Sequence, residues 1–167
     1  MGSFHVLPAA ANDILPWLAL ANEVEYLFGP MLEFDAIPAR KVMEKRAYCV
    51  SSSANRLAGA MLLGGSDSGY WIRWLAVSSA SRGRGIGTAL VTTALKAFPP
   101  RSSVYVDTFV DDTLDGRAAR RLYERSGFTP LSVVCDGGVQ RLRYFRETPS
   151  DRKEDYGSEA NLLSHKS

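Results

Sequence analysis

Between Leu75 and Thr88 the chain reads Leu75-Ala76-Val77-Ser78-Ser79-Ala80-Ser81-Arg82-Gly83-Arg84-Gly85-Ile86-Gly87-Thr88, with three glycines in five residues. Glycines leave backbone N–H groups uncovered, and a helix start adds a dipole worth about 0.3 to 1 kcal/mol to a nearby anion. Such a turn suits phosphate, although strand-to-helix glycines serve packing as often as function. Neither common nucleotide motif fits. A P-loop needs Lys-Ser/Thr after its glycines, and the dinucleotide pattern needs Gly at Thr88 or at Leu90, depending on where it starts. Other chemistries are thinly supplied. His5 and His165 stand at opposite ends and Cys49 and Cys135 lie inside apolar stretches, so neither a metal centre nor a His-based triad is expected. Asp107, Asp111, Asp112 and Asp115 place four carboxylates in nine residues, either a solvated acidic loop or a lure for a cationic amine. Tyr70, Trp71, Trp74 and Phe109 could equally shape an apolar or cation–π pocket.

Two segments together are more specific. Arg82-x-x-Gly85-x-Gly87, preceded by Leu75-x-Val77, resembles the coenzyme A pyrophosphate motif of the GCN5-related N-acetyltransferases, the GNAT family. Ala119-x-x-Leu122-Tyr123-Glu124-x-x-Gly127-Phe128 resembles that family's next helix and strand, which flank the coenzyme's thiol. The resemblance covers residues 3 to 147, and residues 75 to 128 carry its specificity. It implies an acyltransferase that moves the acetyl group of acetyl-CoA to a primary amine by direct attack in a ternary complex, without a metal. It implies that the main chain of Leu75, Ala76 and Val77 pairs with the pantetheine arm like an added strand. The amides of Gly83, Arg84, Gly85, Ile86, Gly87 and Thr88 would hold the pyrophosphate, with charge from Arg82 and Arg84. Tyr123 takes the family's general-acid position, donating to a thiolate whose parent pKa is near 8.5.

The sequence also departs from the family. Gly116 stands where the helix motif begins with Asn, and the strand before the glycines has no carboxylate where the family's common base would fall, near Trp71. Asp107, Glu23, Glu25 and Glu33 are the replacement candidates, or water relays the proton. These losses leave a catalytically weak acyl-CoA-binding module as an alternative, and a protein or peptide acetyltransferase whose tail contacts its target is a further one.

The elements that must position these residues are legible as patterns. A short strand at 3–7 precedes a helix spaced by Trp17, Leu20, Ala21, Val24, Leu27 and Phe28 and stopped at Gly29-Pro30. A second helix is expected over 38–46, then strands at 47–53 and 56–63, joined at Ala54-Asn55, and at 70–78. Helix 85–98, strand 103–110, a helix through Ala118 to Tyr123 closed by Gly127, and strands 128–135 and 139–146 complete the order. This predicts a mixed α/β (α+β) fold: a mostly antiparallel sheet of about seven strands, four helices, and a parallel pair splayed to hold acyl-CoA.

Composition narrows the partners. The 167 residues carry 20 Lys+Arg against 18 Asp+Glu, a formal charge of +2, which argues against a nucleic-acid binder. No run approaches the roughly 18 apolar residues that span a bilayer, and the start lacks a basic region before an apolar core, so a cytoplasmic protein without a membrane partner is expected. A homodimer is left open. Residues 1–147 read as the catalytic domain and 148–167 as a polar tail. Arginine outnumbers lysine 15 to 5, and Arg82, Arg84, Arg117, Arg120, Arg121 and Arg125 cluster in the two motif segments as candidate phosphate contacts.

Overall fold

The computed structural model describes residues 4–28, 36–53 and 55–150. The expected stop at Gly29-Pro30, Glu33, Ala54 and tail residues 151–167 lie outside them. Seven strands form one sheet: β1 (Leu7–Pro8), β2 (Ala47–Ser53), β3 (Arg56–Ser66), β4 (Gly69–Val77), β5 (Ser103–Phe109), β6 (Thr129–Asp136) and β7 (Val139–Glu147). Their order is β1-β2-β3-β4-β5-β7-β6, and every neighbouring pair is antiparallel except β4 and β5. This is the mixed, mostly antiparallel fold expected.

Five α-helices stand among the described residues where four were expected: α1 (Ile14–Glu23), α2 (Glu25–Phe28), α3 (Ala36–Met43), α4 (Ile86–Ala97) and α5 (Leu114–Arg125). The extra one arises because Val24 leaves the helical region at φ −99° and ψ 7° while its side chain stays buried. That break turns Phe28 onto Trp74 and Phe109, with ring centroids 5.8 and 5.5 Å apart. The first strand shrinks from 3–7 to an edge pair matched with Cys49 and Tyr48, where Pro8 lacks no N–H that the ladder needs. α3 begins before Pro38 and ends before Lys45, whose φ of 57° stops the helix. The hairpin at Gly137-Gly138 has both central residues at positive φ, 55° and 79°, the turn that matches strand twist.

The sheet buries both faces over its first half. α1 presses Trp17, Leu20 and Val24, and α3 adds Ile37 and Val42, onto Leu57, Ala60 and Trp74, while α4 and α5 press Ile86, Leu90, Val91 and Tyr123 onto Met61, Ile72, Val104 and Val106. Each such side chain contributes roughly 1.5 to 3 kcal/mol by leaving water. Composition assigned Thr148 to the tail, but it is buried and accepts from Ser102 N at 2.7 Å, so packing runs at least to Thr148. No helix among the described residues is long and apolar enough to cross a membrane.

What positions the site is the parting of β4 and β5. Their parallel ladder joins only Tyr70 with Val104 and Trp71 with Tyr105. Beyond Trp71 the strands separate, helped by a bulge that leaves Arg73 without a partner on β3, between the pairs Leu63↔Ile72 and Leu62↔Trp74. Main-chain groups from Ile72 to Val77 thus have no partner on β5, and Val77 O accepts instead from Arg82 Nε at 3.4 Å.

Candidate active site

β4 runs into α4 through a loop that the sequence fixes closely. Ser78 N bonds Ala58 O at 2.8 Å and Ser81 N bonds Ser78 O at 2.9 Å, forming a single tight turn. Gly83 and Gly85 then adopt φ of 74° and 83°, a conformation that would cost an L-residue about 1 to 2 kcal/mol. Gly87 is needed for a different reason. A Cβ there would sit 3.1 Å from Leu122, so the glycine lets α4 approach α5. α4 opens at Gly85 without a side-chain cap, and its first amides have no intrahelical acceptor.

Beside this loop lies a cleft of about 270 Å³ between the parted strands, walled by Leu75, Ala76 and Val77 on one side and by Ala119 and Leu122 of α5 on the other. Arg82, Gly83, Gly85, Ile86, Gly87 and Thr88 line its end. Nine of the ten ligand-binding residues anticipated from sequence therefore meet in one cavity. Arg84 is the exception: it borders two hollows on the far side of the loop, with Phe4 and His5 and with Pro16. The cleft suits an extended ligand, with strand-like hydrogen bonding and apolar walls along its length and uncapped amides for an anion at one end.

A second chamber of about 240 Å³ continues from the cleft, sharing Phe28, Leu75, Phe109, Ala119 and Leu122 with it. Tyr123 lines this chamber. Its ring is held edge-on to Phe128 at 5.7 Å and tilted against Tyr144 at 6.3 Å. Burial alone pushes its phenol above the ordinary range, so it stays protonated at neutral pH. Tyr144 behind it donates to Glu124 at 2.7 Å and is pushed up to about 12, chiefly by burial. α5 ends at Gly127, φ 85°, where Phe128 N bonds Tyr123 O at 3.0 Å.

The start of α5 explains Gly116. Thr113 caps the helix by accepting from Gly116 N at 3.1 Å and donates to Asp111 at 2.6 Å. A Cβ on Gly116 would meet Asp111 Oδ1 at 2.3 Å and its carbonyl oxygen at 2.7 Å. The loop that folds onto the helix leaves no room for Asn.

The charges differ most from the sequence reading. Asp107 is held by Arg143 through two bonds of 2.8 and 2.9 Å, Asp112 pairs with Arg117 at 3.0 Å, and Asp115 pairs with Arg82. Asp111 is taken by Thr113. The acidic lure is therefore largely cancelled. Arg120 braces the walls, donating to the carbonyls of Phe109 and Asp111 at 2.7 Å each. Glu23 also has a different task. It accepts from Ser79 N at 2.9 Å and Ser79 Oγ at 2.5 Å, tying α1 to the glycine loop, and these bonds hold its carboxyl below the usual 4.5. Where a strand carboxylate was missing, Trp71 carries Arg73 and Arg143 over its ring at 4.8 and 4.6 Å.

Sequence reasoning overlooked Phe28, Asp136 and Arg141 as walls of the chamber. Asp136 and Arg141 flank the Gly137-Gly138 hairpin, whose turn was legible but whose place at the chamber depends on pairing between β5 and β7. Asp136 is the one carboxylate lining the chamber without an ion pair among the described residues.

A family model described as acetyltransferase (GNAT) domain matches residues 44–130. A mycothiol acetyltransferase from Beutenbergia cavernae is 38% identical over 65 residues, 39% of this chain. The chain spans only about a fifth, 21%, of that relative's length. A GNAT-family acetyltransferase from Bacillus cereus superposes with a TM-score of 0.70 at 16% identity, covering 88% of this chain and 99% of that one. Naa50 from Arabidopsis thaliana, in complex with the bisubstrate analogue CoA-Ac-MVNAL, superposes at 0.66 with 15% identity over 87% and 99% of the two chains. At these identities the structures speak for the fold.

Proposed function

Since the chain belongs to the GNAT acetyltransferase domain family, we propose that it transfers the acetyl group of acetyl-CoA to a primary amine within a ternary complex. The observation that carries this reading is the unpaired edge of β4 beside the uncapped start of α4, with Tyr123 in the adjoining chamber. Leu75, Ala76 and Val77 offer main-chain bonds to a pantetheine arm, and the amides of Gly83 to Thr88 face a pyrophosphate. Arg82 adds charge there, tempered by Asp115. Bound acetyl-CoA supplies a thioester whose acetyl carbon the amine attacks, so that a C–N bond replaces the C–S bond and a thiolate leaves.

Tyr123 donates its proton to that sulfur, as a phenol kept neutral by burial is able to do. An ammonium must first lose a proton, and among the described residues Asp107 and Glu23 are poorly free to take it. Water in the chamber with Asp136 beside it is the relay we favour, ahead of exposed Glu25. The two cysteines are free, with Cys135 exposed, which suits the reducing cytoplasm we assign to the protein.

Free-thiol release from acetyl-CoA across a panel of amines tests the reading. Release that depends on both amine and enzyme supports it. Coenzyme binding without turnover on any amine would instead mark a binding module.

A further inference from the structure

Of the charged groups around the acceptor chamber, one carboxylate is engaged and two guanidiniums are not. Arg73, Arg141, Asp107 and Asp136 are its charged lining residues among those described. Asp107 is committed to Arg143 in a bidentate pair, and none of the ion pairs among the described residues includes Arg73 or Arg141. Both free guanidiniums are held by aromatic rings. Arg73 lies over Trp71 at 4.8 Å and against the bare face of Gly64, where a Cβ would stand 2.9 Å from its Nε. Arg141 lies over Phe109 at 5.2 Å. A guanidinium stacked by its face keeps its N–H donors at the edges, in the fork geometry that matches a carboxylate or phosphate. Stacking also fixes the side chain before any ligand arrives, reducing the entropy lost on binding.

Resting on the acetyl-transfer reading, we infer that the acceptor is a small amine that also carries an anionic group, a carboxylate or phosphate, held by Arg73 and Arg141 while its nitrogen faces Tyr123 and Asp136. The bulge on β4 is what makes the subsite. It places Arg73, a residue without a β3 partner, at the point where the strands part. Asp136, a few residues before Arg141 across the hairpin, supplies the opposite sign for the amine end. A purely cationic polyamine meets two like charges in this chamber and is disfavoured.

Amine pairs that differ by the anionic group test this on the full chain: L-phenylalanine against phenethylamine for a carboxylate, and O-phosphoethanolamine against ethanolamine for a phosphate. Thiol release gives kcat/KM, and equilibrium dialysis in the presence of coenzyme A gives binding. The anionic member of at least one pair is expected to be favoured roughly tenfold or more, and the pair that responds identifies the group. In the R73Q/R141Q double variant that ratio should fall toward one, and R73K/R141K, which keeps the charge but loses the fork and the stacking, should retain only a minor part of it. A preference seen in binding without any thiol release supports this subsite while contradicting acetyl transfer. Equal turnover and equal binding within both pairs, absence of both included, or preference for the neutral members would overturn the inference.

Discussion

At the scale of single residues, Tyr123 and Gly116 show what a motif does and does not carry. The motif located Tyr123 because its helix sets it one turn before a helix-ending Gly127, and that spacing is local. Most of its environment is not local: Tyr144 comes from β7, and the chamber is lined from α2, β4, β5 and the ends of the β6–β7 hairpin. Tyr123→Phe is expected to lower turnover at least tenfold, general-acid contributions running to about 10²–10⁴, with acetyl-CoA affinity nearly unchanged. The same variant has a second signature. The folded protein keeps the Tyr123 proton above pH 10 while the unfolded chain gives it up, so stability present below that pH is lost as pH rises. Melting curves between pH 8 and 11 should fall less steeply for Tyr123→Phe than for the wild type. Gly116 was legible as a departure, but its cause was hidden, since it depends on where Asp111 folds. Restoring the family residue with Gly116→Asn should destabilise by about 1 to 3 kcal/mol, a drop of several degrees in Tm by calorimetry. An unchanged Tm would contradict the packing described for that loop.

Among elements, the glycine loop and the strand order were readable because each rests on spacing within one segment. Contacts between segments were not. The helix carrying Trp17 to Phe28 reads as one periodic stretch, yet it breaks at Val24 because Phe28 has to reach Trp74 and Phe109 where β4 and β5 part. Glu23 at the end of α1 then falls beside Ser79 rather than beside a substrate amine. It binds the loop to the helix layer, and Glu23→Gln is expected to weaken acetyl-CoA binding several-fold without altering the acceptor preference, as titration calorimetry would register. The sign with pH follows from its lowered carboxyl. The charged form and its bonds persist above pH 4.5 and are lost as pH falls below it, so loop-dependent binding should be flat from pH 6 to 8. Affinity that varied across pH 6 to 8 equally in wild type and Glu23→Gln would point to another group.

For the molecule as a whole, a near-neutral total of +2 concealed how the charges are arranged. Arginines were legible as clustered, but not that Arg82, Arg117 and Arg143 each hold an aspartate, nor that Arg73 and Arg141 are left facing the chamber. Pairing is a property of the folded sheet, and composition carries no information about it. The central claim is that the parted strands and the glycine loop form one binding site for acetyl-CoA. Isothermal titration of the full chain with acetyl-CoA tests it most directly. One site per chain with a Kd between about 1 μM and 1 mM is predicted. No detectable heat or saturation with millimolar acetyl-CoA would contradict it.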